Sequence, residues 1–384
     1  MSAGRLLPAA HSAAFLAEGG GLAREIRSPE KPRPPEFRER YESRALVYDC
    51  FWHADGKRIL LVGPPPMNLR PALQSARYVA LPSGQALKAR YFPSLSTMLT
   101  ELTGVPEETI AVQIEVGGQQ FELEVQPNHA ATFAGKRMLF AMSRNNELAW
   151  IREWAEWHAR LHGTDAVVVF DNGSTAYAPE QIEEALLGIE QLDHVTVHRW
   201  PYAFGMTDHA LAINPYWSHF LQISSMSVVL RRYGAKAFGL LNCDPDELAA
   251  THSGRPIYDL LAESRRGLVV FRGQWIEAVT QPGDVSRRHR DFVRRLQDPR
   301  AAASRPGKWV IDPRRDWFER LDAHPYWHWL AGRPWFGKSM PKDAFYRHFK
   351  GINTNWKEGR TAPPAGDTEI DAALVADFAR AGMT

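Results

Sequence analysis

Residues 136–174, KRMLFAMSRNNELAWIREWAEWHARLHGTDAVVVFDNGS, decide the fold class. Residues 136–143 read as a strand, and Asn145, Asn146 and Glu147 follow as candidate helix caps. Leu148, Ile151, Trp154, Ala155, His158 and Leu161 then fall at three- and four-residue steps, the spacing of one apolar helix face. Gly163 is placed to close that helix. Residues 166–174 begin with a strand that is apolar on both faces, the mark of a central position in a sheet.

The rhythm continues downstream. A helix is expected over 179–191, a strand over 194–200, a long helix around Tyr216–Tyr233 and a strand over 236–244. Buried strands alternating with helices predict an open α/β sheet, mostly parallel and covered on both faces. Upstream the pattern differs. ALVYDCFWH (45–53), RILLVGP (58–64), YVALPSG (78–84), ALKARYF (86–92), TIAVQIEVGG (109–118) and QFELEVQP (120–127) read as short strands, with hairpin turns at 54–56 and Gly117-Gly118. Residues 94–102 read as one short helix. These features divide the chain into a loosely ordered arm rich in Gly, Pro, Arg and Glu (1–44), a small β-rich unit, read as a sandwich (45–132), the α/β domain (133–360) and a tail (361–384). The tail holds Ile370, Ala373, Leu374 and Phe378 at helical spacing, as if to dock on the body or a partner.

Composition narrows the function classes. The 384 residues are 44% hydrophobic and 23% charged, which excludes a wholly disordered or fibrous chain. A formal charge of +2 lacks the basic excess a general nucleic-acid binder needs, so no nucleic-acid partner is expected. No run approaches the roughly 20 apolar residues of a membrane span, and the N-terminus is a poor signal peptide. Two distant cysteines suit reduced thiols in a cytoplasmic protein. The thirteen tryptophans suit sugar or base stacking, and equally a large core.

Three of the expected strands end in polar, small or acidic residues: Ser143 to Asn146, Asp171 to Ser174, and Asn242 to Glu247. Ligands of open α/β sheets lie beyond the carboxyl ends of the strands, so these ends should share one crevice. Asp244 and Asp246 are two residues apart, which in an extended segment turns both carboxylates to one side, and Pro245 stiffens the pair. Paired oxygen ligands suit Mn2+ or Mg2+. Structural uses compete: Asp246 as a helix cap, Asp171–Ser174 as a turn, Asn145–Glu147 as a cap. At Asp171 a carboxylate also suits the ring N–H of a uracil. The basic run from Ser286 through Leu296, continuing to Arg300 and Arg305, has a Phe292–Leu296 helical spacing and reads as a solvated helix face or mobile excursion, or as a loop that closes on donor phosphates or meets an acidic polysaccharide. Residues 322–330 concentrate aromatics that suit an acceptor groove or the core.

The ordered series 136–174, then LLNCDPDEL (240–248), FRGQWIE (271–277), KWVIDP (308–313), His324-Pro325 and RHFKGINTNWKEGR (347–360) resembles glycosyltransferases of the GT-A fold, the family-92 group and bacterial relatives with a glycosyltransferase-2-like domain. The resemblance spans residues 136–360. It implies a nucleotide-sugar donor, a divalent metal held by a DxD pair, and inversion by single displacement. On this chain it makes Asp244 and Asp246 the DxD carboxylates and His348 the third metal ligand. It also puts Asn145, Asp171, Asn172, Lys350 and Lys357 at the donor, with Arg360 near the departing diphosphate. Glu277 is the implied catalytic base, with Asp259 and Glu247 as rivals, and Trp275 a stacking or packing residue.

The expected activity is therefore Mn2+- or Mg2+-dependent transfer of a hexose, UDP-linked, onto a glycan hydroxyl, plausibly in surface polysaccharide assembly. Peripheral membrane association is left open. The alternatives are a nucleotidyl or phosphoryl transferase, or a non-catalytic glycan-binding protein. A Gly-rich phosphate loop followed by Lys-Ser/Thr is missing, which argues against an ordinary nucleoside-triphosphate hydrolase.

Overall fold

The computed structural model describes residues 6–280, 287–333, 340–354 and 360–383. Its centre is an eight-stranded sheet. In chain order the strands are β1 (Arg137–Ser143), β2 (Ala166–Asp171), β3 (His194–Arg199), β4 (Gly239–Asn242), β5 (Glu247–Thr251), β6 (Leu268–Ile276), β7 (Ala303–Ile311) and β8 (Ala344–Phe349). Across the sheet they lie in the order β3-β2-β1-β4-β7-β6-β8-β5. The first four are parallel. β7 runs against both β4 and β6, β8 is parallel to β6, and β5 runs against β8. The fold is thus α/β with a mixed sheet, and β1, β2, β3, β4, β6 and β8 end at one mouth.

Side-chain alternation explains how the sheet is covered. Leu139, Ala141, Val167, Val169, Val195 and Leu241 face a core built with helices α1 (Leu148–His162), α2 (Pro179–Leu187), α4 (Ile257–Glu263) and α5 (Ala372–Arg380). Met138, Phe140, Ala166, Val168, Phe170 and Leu240 face the other way, against α3 (Phe220–Val228), residues 317–330 and the N-terminal β unit. Helices therefore dominate one face only. α1 ends at Gly163, whose φ of 70° needs glycine's freedom. Its buried surface is broader than the six-residue stripe predicts. Trp157 meets Phe378 of α5 edge-on, and the Trp150 indole donates to the Arg287 carbonyl.

The β-rich unit consists of two four-stranded antiparallel sheets around a shared core. One sheet holds 49–52, 59–63, 98–103 and 88–93; its first three strands are buried on both sides, and the edge strand 88–93 is largely open. Cys50, Ile59, Leu61, Met98 and Leu102 face the unit's own core, whereas Phe51, Leu60, Val62 and Leu99 pack onto the central sheet. The expected boundary near residue 132 is therefore crossed by continuous apolar packing.

Four expectations change. Residues 98–103 form a strand rather than part of a helix, because pairing with 59–63 and 88–93 overrides local helix preference. The arm is not loose. Ala14–Phe15 pairs with 45–47, Leu16 and Phe37 are buried, and the buried Arg24 guanidinium donates to the carbonyls of Pro65, Glu42 and Ala45. In the basic run, His289–Asp291 is a short 3-10 turn and Arg294–Leu296 a strand paired with Thr368–Ile370, not a helix. The long helix begins at Phe220 and ends in a π turn at Val229–Tyr233. The tail docks on the body through Leu374 and Phe378, with Arg347 paired to Asp371 and Asp377, whereas Ile370 and Ala373 of the expected face are exposed. Among the described residues no helix is long and apolar enough to cross a membrane.

One ion pair joins the three parts. Arg232, beyond α3, donates to Asp49 Oδ2 at 2.9 Å, to the Ala10 carbonyl at 2.7 Å and to the Pro127 carbonyl at 3.0 Å. Both partners of the pair are essentially inaccessible. Arg232→Ala leaves Asp49 buried without its counter-charge, a change that typically costs about 3–5 kcal/mol, and the urea midpoint should fall accordingly.

Buried histidines add a pH dependence. Desolvation pushes His158 down to about 3, His162 and His324 to about 4, and His198 well below its ordinary 6.5. The unfolded chain then binds protons that the fold refuses as pH drops below 6.5, so stability falls with pH in that window. Melting temperature should decrease from pH 7 to pH 5; a flat or rising profile contradicts this account.

Candidate functional site

The acidic turn after β4 is the centre of the mouth. Glu247 N–H donates to the Asp244 carbonyl at 2.8 Å, and Asp244 N–H donates to Glu247 Oε2 at 2.9 Å. The segment is therefore a tight turn rather than an extended strand, and the two aspartates take different partners. Lys308, on antiparallel β7, inserts its ammonium between Asp244 Oδ2 at 2.6 Å and Glu247 Oε2 at 2.7 Å. Its side chain is 1% exposed. Desolvation opposes its charge, but Asp244 and then Glu247 overcome this and raise its pKa well above the ordinary range. A lysine in a buried strand needs such partners.

Asp246 turns the other way. His348 Nε2 lies 3.1 Å from Asp246 Oδ2, and Arg360 Nη1 donates to the same oxygen at 2.5 Å. Burial acts to raise the Asp246 pKa. The charge and hydrogen bond of His348, then those of Arg360, outweigh it and hold the carboxyl well below the usual range. Glu247 is shifted upward: burial dominates, against the pull of Lys308. β5–β8 pairing sets Glu247 directly opposite His348, with 3.8 Å between Glu247 Oε1 and Nδ1. The Trp275 ring stacks on His348 at a centroid distance of 4.0 Å, and Ser304 Oγ is 3.4 Å from Nδ1. Asp246, Glu247 and His348 can each offer a ligand atom within 4.8 Å of the others.

Of the expected metal set Asp244, Asp246 and His348, the structure brings Asp246 and His348 together with Glu247. Lys308 ion-pairs both Asp244 and Glu247, and the second oxygen of Glu247 lies toward His348. Two carboxylates and an imidazole are a sound donor set for Mn2+ or Mg2+. Three carboxylates share the cations Lys308 and Arg360, and an ion on Asp246 requires Arg360 to leave it.

Glu277, the expected base, is fully buried, and Lys350 Nζ holds both of its oxygens at 2.8 Å. Its carboxylate is engaged in this pair and presents no exposed face. Lys350 and Arg360 both lie over the Trp275 ring, at 5.8 and 5.6 Å. Asp259 sits on α4, which starts beside the end of α1 at the far pole: Ile257 N–H donates to His162 Nδ1. Lys357 lies outside the described residues.

The ends of β1 and β2 are stitched to each other. Asp171 is buried and accepts from Ser174 Oγ at 2.5 Å and Ser174 N–H at 3.2 Å. The Asn172 amide donates to the carbonyls of Trp200 and Tyr202, both at 2.8 Å. Asn145, at φ 53°, accepts from Thr175 N–H and Ala176 N–H and donates to Thr175 Oγ1. These polar atoms build the turns at the mouth instead of capping α1. Glu147 holds the N-cap position without a side-chain bond.

Sequence reasoning gave no role to Lys308, Glu153, His289 or Ser304. A charged residue opening the apolar run KWVI was the available signal for Lys308. No protein-family model matches this sequence, and no curated protein matches it significantly.

Lys308→Met should strip Asp244 and Glu247 of their shared counter-charge and destabilise the fold by about 3–5 kcal/mol. The loss, read in urea unfolding at pH 7, should shrink as pH is lowered and the raised Glu247 takes a proton.

Proposed function

We propose that this chain is a metal-dependent inverting glycosyltransferase of GT-A fold, moving a hexose from a UDP-linked nucleotide sugar to a glycan hydroxyl. The observation that carries the reading is the Asp246–Glu247–His348 group at the carboxyl mouth of the sheet. The strands β1, β2 and β4 lead into that mouth, the position where ligands of α/β sheets bind.

Asp246, Glu247 and His348 would hold the ion. A divalent cation there supplies charge stabilisation for a departing diphosphate. The chain's own part is electrostatic positioning. Lys308 fixes Asp244 and Glu247, which leaves Asp246 and the outer oxygen of Glu247 toward His348. Arg360, once displaced from Asp246, and Lys350 are the two cations on the Trp275 side of the group, suited to phosphate oxygens. The exposed Trp329, stacked on Tyr326 at 4.4 Å, offers one open aromatic face to a sugar ring. The buried free thiols of Cys50 and Cys243 suit a reducing, cytoplasmic setting.

The test is hydrolysis of a panel of nucleotide sugars without acceptor, with Mn2+ or with chelator. Metal-dependent release of nucleoside diphosphate is expected, and Asp246→Asn should slow it by about 100-fold or more. Chelator-resistant turnover removes the metal from the proposal. Pyrophosphate as product favours nucleotidyl transfer, and binding of glycan with no turnover favours a glycan-binding protein.

A further inference from the structure

Behind the acidic turn lies a second buried pair. His289 is 0% exposed, and its Nε2 lies 2.9 Å from the carbonyl oxygen of Pro245, the residue between the two aspartates. Its Nδ1 lies 3.3 Å from Glu153 Oε2 of α1, and its backbone N–H donates to the same oxygen at 3.0 Å. Arg288 approaches the other Glu153 oxygen at 3.7 Å.

The ring faces two acceptors, a carbonyl and a carboxylate. A neutral imidazole has one N–H and one lone pair. His158 and His162 show the neutral pattern. His158 donates from Nδ1 to the Trp154 carbonyl and accepts at Nε2 from Ala249 N–H. His162 donates from Nε2 to the Ala249 carbonyl and accepts at Nδ1 from Ile257 N–H. At His289 a carbonyl can only accept, and Glu153 already accepts from a backbone N–H. Burial acts to raise the Glu153 pKa, but the hydrogen bonds and charge of His289, and then Arg288, outweigh it and hold it below the usual range. A carboxylate with a doubly protonated ring satisfies every group.

We propose that Glu153 and His289 form a buried carboxylate–imidazolium strut that fixes the Asp244–Asp246 turn, making His289 a positioning residue of the cation site. α1 thereby holds the turn from behind through a charge-assisted bond to its central carbonyl, while Lys308 and His348 hold its side chains in front. The strut itself is independent of the glycosyltransferase reading, whereas its bearing on metal rests on that reading.

Two measurements on the full chain decide it. With 15N-labelled histidine, NMR at pH 7.5 should show two ring N–H groups for His289, assigned by their loss in His289→Gln, and Glu153→Gln should remove one. A single N–H in the wild type overturns the strut. In Mn2+ titrations, His289→Leu should weaken binding by about 10–100-fold, whereas His289→Gln, whose amide can still donate to the Pro245 carbonyl, should stay within about threefold of wild type. A folded His289→Leu that binds Mn2+ like the wild type overturns the positioning role. Should that variant not fold, a loss of about 10-fold or more in Mn2+ affinity for Glu153→Gln supports the role, and an unchanged Glu153→Gln overturns it. A wild type that takes up no Mn2+ ends both the metal reading and the positioning role, while two ring N–H groups still establish the strut.

Discussion

Strands β1, β2 and β4 carry apolar side chains on both faces, and that constraint organises the molecule. Met138 and Phe140 cannot share a side with Leu139 and Ala141, so two separate layers must cover the sheet. Helices supply the first. The second comes from α3, the 317–330 segment and the N-terminal β unit, whose inner sheet packs side chains into cores on both of its faces. The β unit is accordingly a structural layer of the body, and the Asp49–Arg232 pair ties it down where no water can compete.

A sheet sealed on both faces leaves polar chemistry only at its ends. At the carboxyl mouth the chain concentrates acidic groups and then compensates them from neighbouring strands. Lys308 comes from β7, His348 from β8 and Arg360 from beyond β8. Lys308 and His348 are placed by strand register rather than by proximity in sequence. Antiparallel β7 brings residue 308 to the end of β4, and β5–β8 pairing puts Glu247 opposite His348. The arrangement is rigid because the turn's amide and carbonyl groups are bonded within the turn and to buried side chains.

Legibility in the sequence followed the range of the interactions. The α1 pattern, the Gly163 stop and the two-faced strand at 166–171 are local or periodic, and the structure reproduces them. The acidic turn was found because its residues are adjacent. Residues 98–103 were misread because their partners lie some 10 and 40 residues away, and pairing outweighs a weak local preference. Glu277 gave no sign in sequence that Lys350 would clamp it. Lys308, His289 and Glu153 carried no individual signal, since a single polar residue in a run does not reveal what will bury it.

The sequence by itself determined the α/β class, the β-rich N-terminal unit and the place of the acidic turn, because periodicity and neighbouring residues encode these directly. Only tertiary structure decided which carboxylates remain available. The ion pairs that engage Asp244 and Glu277 join side chains from 64 and 73 residues away, and such contacts exist only once the strands are in register.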